Sequence, residues 1–529
     1  MTHLKTIALV FSFSLVIVSC DRFHDDDDVD PPTLEAGTLS GGPFTFTVDG
    51  TPDMVSGISL SGFDGSGDVQ TYVVTDDANT ILGLPPTLSA LEGVDFDAAG
   101  PGICFIWHMN YNEGLSGLEM GNNVSDLDGE YDLSNSIMVT RDELVSANFT
   151  VTIENVFQPK MYFANGTLDG LLMPEASWEI TFNAGRGHYL SFATMLVQTN
   201  DLFFAPDENG LPLYDMDGNA ITGDITNMID LWDAGTEVNE EPGVGANQAP
   251  RQAGPNTGST ENGTVERIAD VDDGYTYPEV SDLTKVMLAH DGGTQFTLTI
   301  YNISNTSDLP GPFAPGVWVI NGADQTPLFT VGEAASEGLE RIAEDGDNAI
   351  SDEALTAESG LVSPFAPGAY GINYPVFVTG EPSTEAFEAL AEDGNASGYD
   401  NVFNTPVGAA GPGPIFPGDA YSFEFTAYAG DELSLATMLV QTNDWVVGAN
   451  GIALFDGYTP ISGDITEMFR IYDSGTEVDE YPGAGAYQAP RQPGPDSGAD
   501  QNDVVSLVTD IPANVPEVPY MIKITIAAN

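Results

Sequence analysis

A long stretch of this chain occurs twice, and this duplication constrains the fold more than any other feature of the sequence. The first copy, residues 190–252, begins LSFATMLVQTND, and the second, residues 433–492, begins LSLATMLVQTND. Both copies end in QAPRQ. Sequences this alike within one chain indicate a duplicated structural module. The string FTVTIENV at 149–156 is likewise answered by FTLTIYNI at 296–303, and the alternation of apolar and polar residues in both predicts β-strands.

The second repeat is longer than the first because it carries an insert that is itself doubled. The string PFAPG begins at Pro312 and again at Pro364, and LERIAEDG at 339–346 recurs as FEALAEDG at 387–394. Apolar residues at helical spacing followed by glycine predict a short helix closed by that glycine. The first repeat has nothing comparable between its first strand and residue 178. It is therefore either a trimmed domain or one that takes the missing layer from neighbouring segments.

The composition favours an all-β chain. The 529 residues include 58 Gly and 35 Pro, which mark many turns, and 42% hydrophobic residues, which suffice for several cores. We divide the chain into a β-rich module of unknown function at 42–147, a shortened first repeat at 148–290 and a second repeat at 294–529. Short helices are expected in the second repeat.

The net charge excludes several classes of partner. Asp and Glu number 81 against 12 Lys and Arg, giving a formal net charge of −69. Such a surface repels nucleic acid and anionic lipid headgroups. The acidity is typical of solubility in a salty medium and also of attraction for divalent cations, and the two interpretations are compatible.

The first twenty residues predict a cellular location. Lys5 precedes an apolar run at 7–18, which is short for a membrane span, and Ser19 then precedes Cys20. This resembles a bacterial lipoprotein signal peptide, 1–20, in which Cys20 is lipidated. Residues 21–41, rich in Asp and Pro, then predict a tether. We expect a protein of the bacterial cell envelope, lipid-anchored to the outer membrane and surface-exposed, whose only contact with the membrane is that anchor.

Cysteine usage excludes an intramolecular disulfide in the exported chain. Once Cys20 is acylated, only Cys104 remains. Because Cys104 lies in a continuous apolar run at 103–107, we expect it to be a small residue of the core.

Acidic residues recur at matching positions of the two copies. Asp201 and Asp444 follow an apolar run, and an Asp and a Glu four residues apart come later in each copy: Asp233 with Glu237, and Asp473 with Glu477. Calcium takes six to eight oxygen ligands from carboxylates, backbone carbonyls and water, which loops can supply. These six residues are therefore candidate calcium ligands, and Asn200 and Asn443 are either further ligands or turn residues.

The ordered motifs resemble the spondin N-terminal domain family, which is known from extracellular matrix proteins and bacterial secreted proteins. The matching strings are FTVTIENV or FTLTIYNI, GVWVI, LERIAEDG, FNTPVGAAGPGPIFPG, the ATMLVQTND block and DAGTE or DSGTE. The resemblance implies tandem antiparallel β-sandwich domains, with a calcium ion held by loop acids at one end. It also implies roles in adhesion and matrix association without catalysis. The chain departs from the family in having Glu237 and Glu477 where the family has Asp.

A metal-free explanation of the acidic loops is also open. Asp233 and its neighbours would form an Asx-type turn whose carboxylate caps backbone N–H groups, with Arg251 or Arg491 as an ionic partner. We favour calcium because three acids brought together would repel one another, and one arginine per copy leaves two of them unpaired.

Three functions follow from these observations. The first is a non-enzymatic, calcium-binding surface lipoprotein whose adhesion modules bind an extracellular glycan, matrix or surface protein, with avidity from repetition. The second is a hydrolase of extracellular polysaccharide or an accessory glycan-binding protein. The sequence contains neither Gly-x-Ser-x-Gly nor His-Glu-x-x-His, although a pair of catalytic carboxylates has no sequence spacing to search for. The third is a purely structural stalk.

Overall fold

The computed structural model describes residues 33–529, so the predicted signal peptide, Cys20 and most of the predicted tether lie outside the described residues. The described residues form two compact units, which meet in the sequence between Leu144 and Val145. Both units consist of mainly antiparallel sheets with few short helices, which confirms the all-β class. None of the helices within 33–529 is both long and apolar enough to cross a membrane.

The first unit is built on one six-stranded sheet. Its elements are β1 (Thr38–Ser40), β2 (Phe44–Val48), β3 (Ser59–Ser61), β4 (Val69–Asp76), β5 (Ile81–Gly83), α1 (Leu88–Leu91), β6 (Gly102–Tyr111), β7 (Tyr131–Leu133) and β8 (Ile137–Glu143). The sheet order is β2-β8-β6-β4-β5, with β7 beside β6 and β2 parallel to β8. Cys104 in β6 is buried in the core, as predicted. β1 lies within the predicted tether but pairs with β3, so the folded unit begins before residue 42.

The second unit opens with β9 (Ser146–Asn155). The next elements are β10 (Ala164–Leu168), β11 (Ser177–Asn183), β12 (His188–Leu196), β13 (Leu202–Ala205), β14 (Leu211–Pro212), β15 (Gly223–Asp224), β16 (Asp230–Asp233), β17 (Glu266–Arg267), α2 (Val280–Leu283), β18 (Thr284–Gly292), β19 (Gln295–Asn302), β20 (Phe313–Gly322), α3 (Glu337–Asp345) and α4 (Ala349–Glu358). The last elements are β21 (Phe365–Ile372), α5 (Glu385–Asp393), β22 (Val402–Phe403), β23 (Ala420–Tyr428), β24 (Glu432–Leu439), β25 (Trp445–Ala453), β26 (Phe455–Asp456), β27 (Thr459–Pro460), β28 (Gly463–Asp464), β29 (Arg470–Asp473), β30 (Ser506–Leu507) and β31 (Ile522–Ala528).

These strands form two sandwiches of matching design. The inserted sandwich, residues 161–360, packs the sheet β10-β20-β12-β13-β16-β17 against the sheet β11-β19-β18-β15. The outer sandwich, residues 145–157 and 361–529, packs β22-β21-β24-β25-β29-β30 against β23-β9-β31-β28. The whole inserted sandwich therefore lies in the sequence between β9 and β21 of the outer one.

The sheets do not follow the sequence repeats. The opening strand of each repeat lies in the sandwich that is built mainly from the other repeat. β9 of the first repeat pairs with β23 and β31 of the second. β19 of the second repeat pairs with β11 and β18 of the first. The predicted boundary between 290 and 294 falls in the β18–β19 hairpin, inside one sheet. The layer missing from the first repeat is supplied by β19, β20 and α3.

The two predicted helices are confirmed. α3 begins after Ser336, whose side chain accepts a hydrogen bond from the N–H of Leu339, and α5 begins after Thr384 in the same way. They end at Gly346 and Gly394, which adopt left-handed φ angles of 64° and 63°. Each helix covers the outer face of one sheet, so the doubled insert provides one helix for each sandwich.

Candidate functional site

The pairing of two short strands brings the first two candidate acids of each copy together. In the inserted sandwich, Leu202 of β13 lies opposite Asp233 of β16, and Asp201 is the residue before Leu202. In the outer sandwich, Trp445 lies opposite Asp473 in the same way, and Asp444 precedes Trp445. Each pair therefore sits at one end of a sheet, where the loop after β16 or β29 begins.

One carboxylate oxygen of Asp201 organises this loop. Asp201 is fully buried, and its Oδ2 accepts hydrogen bonds from the backbone N–H of Thr236 (2.7 Å) and of Glu237 (3.1 Å). Asp444 repeats the arrangement with Thr476 (2.8 Å) and Glu477 (3.0 Å). These contacts fix the loop backbone against the end of the sheet.

The other oxygen of each of these carboxylates is buried without a partner. Within residues 33–529, neither Asp201 Oδ1 nor Asp444 Oδ1 has a hydrogen-bond donor. A buried carboxylate oxygen without a partner is costly, because it has lost its hydration and gained nothing in exchange. The same orphaned atom in both copies marks a place that a cation or a proton would stabilise.

The second Asp of each pair forms a tight turn. Asp233 Oδ1 accepts a hydrogen bond from the N–H of Gly235 at 2.7 Å, and Asp473 Oδ1 accepts one from Gly475 at 2.6 Å. Gly235 has φ +66°, and a Cβ there would lie 2.6 Å from the backbone nitrogen of Thr264. The turn therefore requires glycine, and the Asx-type part of the metal-free explanation describes these contacts.

A further side chain that carries oxygen lies near each pair. Asn239 donates from Nδ2 to Asp233 Oδ2 at 2.7 Å, which orients its amide next to the acids. The matching position of the second copy is Asp479, whose pKa is raised by desolvation of its carboxyl and then by the charges of Asp473 and Asp444. Neither residue is among the ligands predicted from the sequence, although an oxygen-bearing side chain at the same position of both repeats was a usable signal.

In each pair the charge of one Asp raises the pKa of the other. Burial, and then the charge of Asp233, raises the pKa of Asp201 well above its usual range, and burial raises that of Asp233. In the second copy, burial and Asp444 raise the pKa of Asp473 to about 6. Desolvation of its carboxyl, followed by Asp473 and Asp444, raises the pKa of Asp479 to about 7, although the residue as a whole is exposed. Negative charge is therefore concentrated beside the orphaned oxygens.

The third predicted acid of each copy, a Glu, makes different hydrogen bonds from the two Asp residues. Glu237 Oε1 accepts a hydrogen bond from the N–H of Gly258 (2.6 Å), and its Oε2 accepts one from Asn200 Nδ2 (3.4 Å). Glu477 makes the same contacts with Gly498 and Asn443. Within residues 33–529, no three or more His, Cys, Asp or Glu side chains are grouped so that they could hold a metal. The loop thus joins the two Asp of each copy but not the Glu.

Asn200 and Asn443 act in the turn. Asn200 Oδ1 accepts hydrogen bonds from Glu240 N–H (2.9 Å) and Gln248 Nε2 (3.1 Å), and Asn443 is bonded in the same way. Their amide oxygens are therefore already engaged by the protein.

The arginines of the QAPRQ motif do not pair with the loop acids. Arg251 donates to the carbonyl of Gly245 and to Gln248, and Arg491 donates to the carbonyl of Gly483. In the part of the chain that the structure describes, the ion pairs involve Arg267 and Arg341 instead. The structure therefore does not show the ion pair between Arg251 or Arg491 and the loop acids that the metal-free explanation includes.

Two helical acids lie under the loops and were also missed. Glu344 of α3 and Glu392 of α5 are buried, and burial raises the pKa of each to about 7. They lie beside Thr236 and Thr476, the residues bonded to the first Asp of each pair. The recurring AEDG of the two helices was the available signal.

The residues present suit calcium by chemistry. Each site offers an unengaged carboxylate oxygen, a second carboxylate, and an Asn or Asp side chain, all of them oxygen donors of the kind calcium prefers. With only two or three side chains, the coordination would have to be completed by backbone carbonyls and water. A comparison of the chain with protein-family models gives no match, and neither does one with curated proteins.

Proposed function

We propose that this chain is a non-enzymatic, calcium-stabilised surface lipoprotein whose paired sandwiches bind an extracellular glycan, matrix or surface protein. The observation that carries the proposal is the buried, unpartnered Oδ1 of Asp201 and of Asp444, each beside a second carboxylate. The resemblance of the sequence to spondin N-terminal domains supports the same ion at the same loops.

Calcium would stabilise the loops rather than take part in a reaction. Its charge would offset the repulsion within each Asp pair, and Asp201 and Asp444 would hold the ion with Oδ1 while their Oδ2 atoms keep the loop backbone in place. Stabilisation of the folded protein would follow, because a ligand that binds only the folded state lowers its free energy. In the second copy, Asp479 adds a carboxylate where the first has Asn239, so we expect the outer sandwich to bind calcium more tightly.

Surface attachment is proposed from the sequence, through lipidation of Cys20 in the signal resembling a lipobox. A net charge of −69 supports an extracellular setting and disfavours binding to nucleic acid or directly to anionic membranes. Two sandwiches in one chain offer two presented surfaces, which suits adhesion to repetitive partners.

Calorimetry tests the calcium proposal. We expect the chelator-treated protein to bind two calcium ions, Asp201→Asn to lose one, Asp444→Asn to lose the other, and the double variant to lose both. The isosteric amide keeps the shape and an acceptor for the loop N–H groups while it removes the charge. As matched controls, Asp464→Asn changes an exposed Asp at the end of β28, and Glu477→Gln changes the acid that accepts a hydrogen bond from Gly498. Asp464→Asn should leave both sites intact, and Glu477→Gln should weaken calcium binding less than Asp473→Asn.

Absence of calcium binding at millimolar concentration in the wild-type protein would overturn the calcium proposal. The adhesive role has its own test: the protein is immobilised and exposed to glycans and matrix proteins, with and without chelator. Release of reducing sugar from a polysaccharide in that experiment would instead support the hydrolase.

A further inference from the structure

A cleft of about 680 Å³ lies where the inserted and outer sandwiches meet. It opens at the edge of the inserted sandwich between β10 and β11, which are the last strands of its two sheets. Residues of the outer sandwich, including Tyr481 and Asn514, form the opposite wall. Its volume is within the range of small-molecule sites, and junctions of this kind are where such sites commonly occur.

The lining of the cleft is close to electrically neutral, unlike the chain as a whole. Its only charged residues are Lys160 and Asp352, which have opposite signs, whereas the chain carries a net charge of −69. Lys160 donates from Nζ to the carbonyl of Ala357, which engages one of its three N–H donors. The cleft therefore offers no concentration of charge for either an anion or a cation, and its chemistry favours a neutral ligand.

Trp318 supplies an aromatic wall. It lies opposite Gly166 in the pairing of β20 with β10, and a Cβ at Gly166 would be 2.7 Å from the indole Nε1. The bare glycine thus lets the indole lie across the edge strand. Phe182, which also lines the cleft, packs against it with ring centroids 5.8 Å apart. Within residues 33–529 the half-buried indole has no acceptor for its Nε1–H, which leaves an aromatic face and a donor at the cleft.

Neutral hydrogen-bonding groups surround this aromatic wall. Asn514 donates from Nδ2 to the carbonyl of Pro482 at 2.9 Å, which fixes its amide, while its Oδ1 is buried and has no partner in the described part of the chain. Asn183 Oδ1 accepts a hydrogen bond from Thr294 at 2.8 Å, and its Nδ2 has no acceptor among residues 33–529. An oriented, unpaired acceptor gains most from a ligand that carries a hydroxyl donor.

We propose that this cleft binds a neutral oligosaccharide. A sugar ring combines apolar C–H faces, which pack on an aromatic ring, with hydroxyl groups that both donate and accept hydrogen bonds. Trp318 suits the faces, and Asn514 and Asn183 suit the hydroxyls. The inference rests on the proposed function in taking an extracellular glycan as the partner, but it does not depend on calcium.

Titration of the full exported chain with short neutral oligosaccharides tests the proposal. Calorimetry and tryptophan fluorescence are used with gluco-, xylo-, manno- and chito-oligosaccharides. We expect at least one series to bind. Trp318→Phe, which keeps an aromatic core residue but removes the Nε1–H and part of the face, should weaken that binding at least about tenfold, which corresponds to about 1.4 kcal/mol.

Matched variants distinguish a specific loss of binding from a loss of folding. Trp178→Phe is the control, because its indole N–H is bonded to the carbonyl of Asp169 and it does not line the cleft, so binding should be unchanged. Asn514→Leu removes the unpaired acceptor from the outer sandwich wall without touching Trp318, and it should also weaken binding. Equal binding by Trp318→Phe, Asn514→Leu and the wild type would overturn the proposal.

The possible failures of the two proposals are distinguishable. Calcium binding and surface adhesion without binding of any neutral saccharide would overturn this inference and leave the proposed function standing. Saccharide binding that persists in chelator would support the cleft even if calcium fails to bind. Preferential capture of a sulfated polysaccharide or of a peptide by the cleft would overturn the assignment of a neutral saccharide.

Discussion

Phe149 of the first repeat and Phe425 of the second are cross-strand neighbours in one sheet, with ring centroids 5.6 Å apart. The strand that is homologous to β9 in the second repeat, β19, is instead joined to β18 by a hairpin through Gly292 and Gly293, both at positive φ. A short hairpin closes at low entropic cost, whereas pairing over hundreds of residues costs more. The local hairpin thus commits β19 to the inserted sandwich and leaves the outer sandwich to be completed by β9.

Fragments whose ends match the sandwiches should fold, whereas fragments whose ends match the sequence repeats should not. Residues 161–360 contain every strand of the inserted sandwich, and we expect them to unfold cooperatively on heating. Residues 294–529 lack β9, whose fully buried Phe149, Val151 and Ile153 belong to the outer core. We expect that fragment to lack a cooperative transition in thermal melts followed by near-ultraviolet circular dichroism, with 145–529 as the control. A stable, cooperative 294–529 would contradict the exchange of strands.

The glycines that end α3 and α5 should be hard to replace. A Cβ at Gly346 would lie 2.3 Å from Cβ of Ala314, and the same holds for Gly394 and Ala366. Gly380 is the matched control, since it has φ +85° but no atom within 4 Å of an added Cβ. We expect Gly380→Ala to cost about 1–2 kcal/mol from its left-handed backbone alone. Gly346→Ala should cost about 1–3 kcal/mol more by overpacking. Denaturant titrations measure both, and equal losses would show that the contact with Ala314 is unimportant.

Removing the charge of Asp444 should have opposite effects in the presence and absence of calcium. Without calcium, Asp444→Asn relieves repulsion with Asp473 and Asp479, so the melting temperature should stay equal or rise. With calcium, the variant should lack the increase in melting temperature that the outer sandwich of the wild type gains. A calcium-dependent increase that survives intact in the double variant Asp201→Asn/Asp444→Asn would contradict the assignment of these ligands.

His188 should make the second unit sensitive to acid. Burial, and then the charge of Arg491, lowers the pKa of His188 to about 3, from 6.5. Because the unfolded chain then binds the proton more readily, stability is fully present above pH 6.5 and is lost as the pH falls from 6.5 towards 3. His188→Asn should therefore show a shallower loss of stability over this window than the wild type. Denaturation midpoints measured at several pH values provide the slopes, and identical slopes would contradict the prediction.

The individual elements could be predicted from the sequence, but their partners could not. Period-two alternation indicates β9 and β19, and helical spacing followed by glycine indicates α3 and α5. Partner choice is different, because β9 and β19 have nearly the same pattern and each would fit either sandwich. What separates them is the distance along the chain to β18 and to β31, which is a property of loop closure rather than of local sequence.

The candidate site, like the fold, could be predicted only in part. Recurrence of Asp201 and Asp233 in both copies pointed to the loop, and strand register brings these two together. The strand register determines the position of the backbone, but it does not determine the direction in which a long side chain points. Glu237 accordingly reaches Gly258, a residue 21 positions further along the chain. The sequence does not predict Trp318 as a site residue, because a tryptophan in a strand is usually a core residue and its access to the cleft depends on Gly166 in another strand.

The position of β9 also determines how the second unit would respond to a mechanical load. A pull transmitted through the residues before Val145 enters at the first residue of β9, a strand bonded on both sides, over nine residue pairs to β23 and seven to β31. Load along the axis of such a strand strains both ladders together instead of opening them one pair at a time. Resistance to force is governed by the rate of unfolding. The strand that completes a distant sandwich is thus also the one best placed to resist extraction from it.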